Sequence, residues 1–158
     1  MSAGQSCMST LNCIEIVTKS FNEVVKNSDL MNSLRSLTLA PYSGLNYELN
    51  MLEKISKNRE AVAKVIMAYY TDELVGWALL SREYSKFQFP NGTKGFKPEN
   101  GMLFQVYVAP DYRRCGIATS LFKEASNNAG SYKIGVSPWN TPSRSFFSTL
   151  EQRNTFYL

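Results

Sequence analysis

Two adjacent arginines and a nearby glycine are the residues whose types and spacing most clearly suit a chemical task. Arg113 and Arg114 carry permanent positive charge, and Gly116 stands just before a helical pattern. The first N–H groups of a helix lack intrahelical partners, and the helix dipole is positive at that end. A glycine there lets a ligand approach the backbone closely. The predicted chemistry is binding of a phosphate or pyrophosphate.

A strand and a helix must position this basic turn. The run from Leu103 to Val108 is apolar, β-branched and aromatic, and Pro110 follows where a residue without an N–H can end a strand ladder. Beyond the turn, five apolar residues fall within an arc of about 140° at about 100° per residue, which predicts one buried helix face. These residues are Ile117, Ala118, Leu121, Phe122 and Ala125.

The turn matches neither of the two common phosphate-binding motifs. The sequence contains no G-x-x-x-x-G-K-[ST] and no G-x-G-x-x-G, which excludes a P-loop and a dinucleotide fingerprint in their usual forms. One alternative is that the arginines are solvated loop charges and Gly116 an ordinary helix-start glycine. Cys115, between the arginines and the helix, is either a small residue in a tight loop or a thiol activated by its basic surroundings.

The segment does resemble the acetyl-CoA signature of the GNAT superfamily of N-acetyltransferases, V-x-P-x-x-R-x-x-G-x-G/A. Here it reads Val108-Ala109-Pro110, then Arg113, Gly116 and Ala118 at the same spacing. The resemblance implies an acetyl-CoA-dependent acyltransferase acting on an amine, without a metal. It also implies coenzyme contacts from Val106, Tyr107, Val108, Arg113, Arg114, Cys115, Gly116, Ile117, Ala118, Thr119, Asn140 and Phe147.

Composition limits the other classes of function. A chain of 158 residues with 44% apolar content predicts one packed domain, which we place at residues 12–158 after a polar tail at 1–11. A net charge of +4 without a block of like charges makes a nucleic-acid binder the poorer reading. No signal-peptide pattern or long apolar run is present, so we expect a soluble, cytoplasmic protein outside the membrane. Whether it forms a homodimer is left open.

Histidine is absent, and the three cysteines have no C-x-x-C spacing. These facts exclude zinc sites, Ser-His-Asp triads and Cys-His dyads in their usual forms. Direct attack by an amine on a thioester needs none of them.

The rest of the chain alternates strand and helix patterns. Ser20, with Glu23 three positions on, predicts a capping box, and Gly76 inside an apolar run predicts a bulge or a close backbone approach. Strands are predicted at 13–17, 62–70, 74–80, 132–137 and 153–158, and helices at 21–27, 30–39, 46–57 and from Asn140 to about Leu150. Residues 81–101 predict either a second small hairpin or a functional flap.

The resulting order, β, α, α, β, β, β, α, β, α, β, resembles that of the GNAT fold. The predicted class is therefore α/β (α+β): a mixed, mostly antiparallel central sheet flanked by helices, with a splayed pair of central strands. The splay is expected between Val106–Val108 and the next strand near Val136. Backbone N–H groups exposed there would hold the pantetheine and the thioester carbonyl.

The catalytic residues are the least determined part. The family pattern N-x-x-A-x-x-F-Y reads Asn140, Ser143, Phe146 and Phe147 here, so the family's tyrosine acid is replaced by phenylalanine. Tyr107 and Ser145 are the candidate substitutes. Alternatively, the protein is a CoA-binding module that has little activity and acts through a protein partner.

The attacking amine must also lose a proton. This costs about 3 to 4 kcal/mol for a lysine side chain and about 1 kcal/mol for an α-amine at neutral pH. The candidate bases, Glu48 and Glu83, are better explained as surface charges. The sequence identifies no base, and it does not identify the acceptor.

Overall fold

The computed structural model describes residues 12–38, 49–50, 63–81, 101–136 and 155–157. The described helices are α1 (Phe21–Val25), α2 (Ser28–Leu37) and α3 (Ile117–Ala129), and a short 3-10 turn covers Pro110–Tyr112. The strands are β1 (Ile14–Ser20), β2 (Ala63–Tyr70), β3 (Glu73–Ser81), β4 (Gly101–Val108), β5 (Lys133–Val136) and β6 (Thr155–Tyr157).

The six strands form one sheet in the order β1-β2-β3-β4-β5-β6. The first four are antiparallel neighbours. β5 pairs parallel to β4, and β6 pairs parallel to β5. A parallel neighbour requires a crossover, and α3 lies in the chain between β4 and β5. The mixed, mostly antiparallel sheet predicted from the sequence is confirmed.

Helices cover both faces of this sheet, because strand residues point alternately to the two sides. On one face, α1 and α2 pack against a core cluster that includes Val65, Trp77 and Leu79. On the other, α3 packs against a cluster that includes Ile66 and Phe104. The Phe104 and Phe122 rings meet edge to face, with centroids 5.2 Å apart. The sheet is therefore held rigidly between two apolar layers.

The β2–β3 hairpin is built by local backbone geometry. Tyr70 pairs with Glu73, so the loop has two residues, and both Thr71 (φ 44°) and Asp72 (φ 69°) have the positive φ of a type I′ turn. Gly76 lies next to a register shift, and a Cβ there would be 3.1 Å from the Tyr107 carbonyl oxygen. Both features predicted for this glycine, a bulge and a close backbone approach, are confirmed.

Most predicted elements are present, with ends displaced by a few residues. The first strand runs to Ser20 rather than Val17, and the capping box at Ser20 and Glu23 is confirmed. Of the helix predicted at 46–57, only Leu49 and Asn50 are described, and both are helical. The segment at 82–100 and the helix predicted from Asn140 lie outside the described residues.

Candidate functional site

β4 and β5 are paired over only part of the length of β4. Their register joins Gly101 to Lys133, Met102 to Ile134 and Leu103 to Gly135. From Phe104 to the end of β4, no described residue pairs with this edge. Pairing between β4 and the described part of β5 therefore ends at Leu103, and the splay expected between Val106–Val108 and Val136 stays a prediction.

The peptide groups of Val106 and Val108 face this unpaired edge. The Ala109 N–H donates to the Val75 carbonyl at 2.8 Å, continuing the register in which Gly76 pairs with Val108. Peptide groups alternate in direction along an antiparallel ladder, so odd-numbered residues of β4 face β3 and even-numbered ones face away. The Val106 and Val108 N–H groups are thus directed away from β3, toward the β5 side of β4.

Between β4 and α3 the chain makes a tight turn with unusual backbone geometry. The 3-10 turn at Pro110–Tyr112 is followed by extended Arg113 (ψ 158°). Arg114 (φ 61°) and Gly116 (φ 85°) are both in the left-handed region. For a residue with a side chain, that conformation costs energy, and such strain concentrates at functional sites.

α3 begins without a side-chain cap. Gly116 is the N-cap residue and offers no side-chain acceptor, and the first helical turn contains no acidic residue. The first intrahelical bond runs from the Ser120 N–H to the Gly116 carbonyl at 3.0 Å. The N–H groups of Ile117, Ala118 and Thr119 therefore have no acceptor within the helix. This helix start is the corner that the sequence predicts to bind an anion, and its binding of an anion stays a prediction.

The two arginines have different roles. The Arg113 Nε donates to the Val108 carbonyl at 2.9 Å, and its guanidinium carbon lies 5.4 Å from the centroid of the Tyr107 ring. Arg113 is half-buried and fastens the turn to β4, so the alternative that it is a solvated loop charge is wrong. Arg114 is exposed, at the edge of the same corner. One arginine shapes the turn, and the other contributes surface charge.

The remaining predicted residues of the turn are brought together at the same place. Cys115 is buried and disulfide-bonded, so it offers no free thiol and the reactive-thiol alternative is not supported. Ile117 is buried beneath the helix, whereas Ala118 and Thr119 are half-buried and Gly116 is exposed. The accessible part of the corner is therefore mainly backbone.

Tyr112 adds an aromatic wall beside the turn. Its ring lies 5.7 Å from that of Tyr70. Partial burial, reinforced by the nearby Glu73 carboxylate, raises the pKa of Tyr112 above its usual value of 10.0. The phenol is therefore protonated at neutral pH and can donate a hydrogen bond, but it is not a base.

Tyr107 lies on the face of β4 that is covered by α1 and α2. It is buried in that core cluster and pairs across the sheet with Trp77. The side chain contacts the guanidinium of Arg113, which connects the α2 side of the sheet to the basic turn. Its part in proton transfer stays a prediction.

Sequence reasoning missed Gln105. Gln105 lies on the same face of β4 as Tyr107. Its side-chain oxygen is buried with no hydrogen-bond partner among the described residues. The available signal was an amide within the otherwise apolar run Leu103 to Val108. In a strand pattern, one such residue is easily taken for a polar edge position.

Several predicted site residues lie outside the described part of the chain. Two of them, Asn140 and Phe147, belong to the segment compared with the family pattern. The others are the candidate acid Ser145 and the candidate bases Glu48 and Glu83. Among the described residues, no group of histidine, cysteine, aspartate or glutamate side chains could hold a metal ion. No described helix is long and apolar enough to cross a membrane.

Solved structures share this fold, and one of them was determined in complex with coenzyme A. The aminoglycoside N-acetyltransferase AAC(6')-Iy in complex with CoA aligns with a TM-score of 0.54 and 17% identity, over 91% of this chain and 97% of that one. A ribosomal-protein-alanine N-acetyltransferase from Brucella melitensis biovar Abortus 2308 gives 0.53 and 16%, over 92% and 96%. An aminoglycoside acetyltransferase from an uncultured soil metagenomic sample gives 0.56 and 21%, over 89% and 91%.

At these identities the structures establish the fold alone, and among curated protein sequences no significant relative is found. The match to a family model shows which family the chain belongs to. The model of the acetyltransferase (GNAT) family matches residues 28–150, which include the whole of β4, the basic turn and α3. The chain belongs to the GNAT acetyltransferase family.

Proposed function

We propose that this protein transfers the acetyl group of acetyl-CoA to a primary amine. The observation that carries the proposal is the uncapped start of α3, which lies directly beyond the unpaired edge of β4. The start of α3 suits a pyrophosphate, and the edge of β4 suits the amide-containing pantetheine arm. Coenzyme A carries these two groups one after the other, which supports the proposal.

The described residues fit the coenzyme. Three N–H groups at the start of α3 are available to phosphate oxygens, and Gly116 has no side chain to block their approach. Exposed Arg114 supplies charge, while Arg113 fixes the turn to β4. The outward N–H groups of Val106 and Val108 would pair with the pantetheine amide and the thioester carbonyl.

In this proposal, the amine nitrogen attacks the thioester carbon, a C–N bond forms and the C–S bond breaks. An N–H group of β4 directed at the carbonyl oxygen stabilises the negative charge that develops there. Loss of one such donor costs about 3 kcal/mol in enzymes that have been studied. Coenzyme A leaves as a thiolate, and the nitrogen, which is positively charged after the attack, gives its surplus proton to water or to that thiolate. Because a thiol has a pKa near 8.5, a proton donor speeds the departure without being indispensable. Tyr107 and Ser145 are the candidate donors.

The acceptor is a primary amine of unassigned class. Similar solved structures include enzymes named for aminoglycosides and for ribosomal-protein alanine. Both kinds of amine therefore belong in a test panel. A cytoplasmic location and a homodimer remain predictions.

The alternative is a CoA-binding module without appreciable turnover. The observation that favours it is Phe147, which stands where the resemblance places the family's tyrosine. Binding and turnover must therefore be measured separately.

The test has two steps. Acetyl-CoA at a hundredfold excess over its dissociation constant should stabilise the fold by about 2.7 kcal/mol, which is seen as a rise in melting temperature. Release of free thiol is then followed with neamine, an alanyl peptide and spermidine. Binding with turnover supports the enzyme, and binding without turnover on any amine supports the module. If the melting temperature does not move, both are contradicted.

A further inference from the structure

We propose that the Gln105 side-chain amide binds and positions the acceptor amine, an inference that rests on the proposed function. The observation behind it is a polar atom without a role in the fold. The Gln105 Oε1 is buried and has no hydrogen-bond partner among the described residues. An unpaired buried acceptor of this kind costs about 1 to 3 kcal/mol, so it calls for an explanation.

The surroundings of Gln105 explain why the fold gives it no partner. Gln105 pairs across the sheet with Leu79, and Trp77 and Tyr107 form the next pair on the same face. Leu79, Trp77 and Tyr107 belong to one apolar cluster. The amide is therefore a polar group on an apolar wall, which suits orientation of a ligand better than packing.

The position along β4 is equally specific. Pairing with the described part of β5 ends at Leu103, so Gln105 stands in the part of β4 whose far edge no described residue pairs with. The next residue is Val106, whose N–H we propose faces the thioester. An amine held by Gln105 would be placed on the α2 side of β4, close to the bond that it must attack.

The amide can accept a hydrogen bond from the amine, but it cannot take its proton. The terminal torsion of a glutamine is broad, so the half-buried side chain can turn its oxygen toward the ligand. A bond to the attacking nitrogen directs its lone pair and leaves its ionisation unchanged. The pH dependence of the reaction should then follow the pKa of the acceptor amine itself.

The experiment uses the full chain and the panel amine that gives the fastest thiol release. Gln105→Leu keeps the volume of the side chain and removes the amide. We expect the KM for the amine to rise about tenfold, the value for one lost hydrogen bond, with kcat nearly unchanged. The acetyl-CoA-induced rise in melting temperature should be retained, and the melting temperature of the free protein should be equal to or above that of the wild type.

A second variant tests the same contact through the pH dependence of kcat/KM. Gln105→Glu places a basic oxygen at the amine, so the alkaline rise of kcat/KM should move to lower pH. Thr18→Val is the matched control, because Thr18 donates to the Glu124 Oε1 at 3.3 Å on the α3 face of the sheet. The control should change neither the KM nor the pH profile.

The outcomes separate this inference from the proposed function. Wild-type turnover together with an unchanged amine KM in Gln105→Leu and an unchanged pH profile in Gln105→Glu would overturn the role of Gln105 alone. A fall in melting temperature in Gln105→Leu, without a change in KM, would show that the amide is structural. A wild-type protein that neither binds acetyl-CoA nor releases thiol would overturn both proposals.

Discussion

Two helix starts in this protein are built in opposite ways. At the start of α1, the Ser20 side chain accepts a hydrogen bond from the Glu23 N–H, and the Glu23 carboxylate accepts one from the Ser20 N–H. At the start of α3, Gly116 supplies no cap, and no acidic residue is present in the first turn. The first end is capped by its own side chains, whereas the second has no side-chain cap and is the end that we propose binds the coenzyme.

The same contrast appears between two polar groups on one face of the sheet, the face that α1 and α2 cover. Beside α2, the buried Trp77 Nε1–H donates to the Thr38 hydroxyl at 2.6 Å, and that hydroxyl donates to the Leu34 carbonyl at 2.9 Å. On β4, by comparison, the Gln105 oxygen has no partner among the described residues. The hydrogen bonds of Trp77 and Thr38 serve the fold, and the Gln105 oxygen is the group for which we propose a functional partner.

The largest expected effect is at the uncapped end. Gly116→Asp would place a carboxylate where we propose that the pyrophosphate binds, in a backbone conformation (φ 85°) that disfavours any side chain. We expect loss of the acetyl-CoA-induced rise in melting temperature. Differential scanning fluorimetry with and without acetyl-CoA measures it.

The matched control is at the other end of the same helix. Gly130 also has positive φ (60°), and a Cβ there would meet nothing within 4 Å. Gly130→Asp should lower stability by about 1 to 3 kcal/mol through backbone strain, yet keep the acetyl-CoA response. If both variants lose the response equally, the assignment of the corner at Gly116 loses its support.

The next largest effect is expected at the hydrogen bond between Trp77 and Thr38. Thr38→Val removes the acceptor of the buried Trp77 indole N–H, and we expect a loss of about 1 to 3 kcal/mol in the free energy of unfolding. Urea denaturation measures this loss. Thr38→Ser keeps the hydroxyl and should recover most of it; equal destabilisation by both would mean that the hydrogen bond contributes little.

A smaller loss is expected at the capped end. Ser20→Ala removes the side-chain acceptor of the Glu23 N–H and should cost about 1 kcal/mol in the free energy of unfolding. The acetyl-CoA response should be unchanged, since α1 is not part of the corner. A weakened response would show that the two helix starts are not independent.

The smallest effect is a pH dependence of the same cap. Hydrogen bonds from Ser20 lower the pKa of Glu23 below its usual value of 4.5. A lowered carboxyl pKa contributes stability above the unfolded-state value, and this is lost as the pH falls through the folded-state value. Glu23→Gln should therefore be less stable than wild type at neutral pH and equally stable in acid. A constant difference across the pH range, measured by urea denaturation, would contradict this.

The sequence predicted the features that follow from local chemistry. The strand from Leu103 to Val108, the helix after Gly116 and the capping box at Ser20 were all readable, because periodicity and capping depend on neighbours in the chain. The sequence did not predict the register of the strands. That the described pairing of β4 with β5 ends at Leu103 depends on contacts between segments far apart in the chain.

The site was predicted in outline, but its internal arrangement was not. The sequence shows two arginines of equal charge, whereas the fold turns the Arg113 side chain onto the Val108 carbonyl. Nor does the sequence distinguish Gln105 from an exposed strand residue. Its significance depends on burial and on missing partners, which are properties of the packed structure.

The most direct test of the central claim is titration of the labelled protein with coenzyme A, followed through its backbone amide signals by NMR. The account predicts that the N–H signals of Gly116, Ile117, Ala118 and Thr119 move strongly, while those of Phe21 and Glu23 in the capped helix stay in place. Saturating coenzyme A with no change at the start of α3, or with its largest changes elsewhere, would contradict the account.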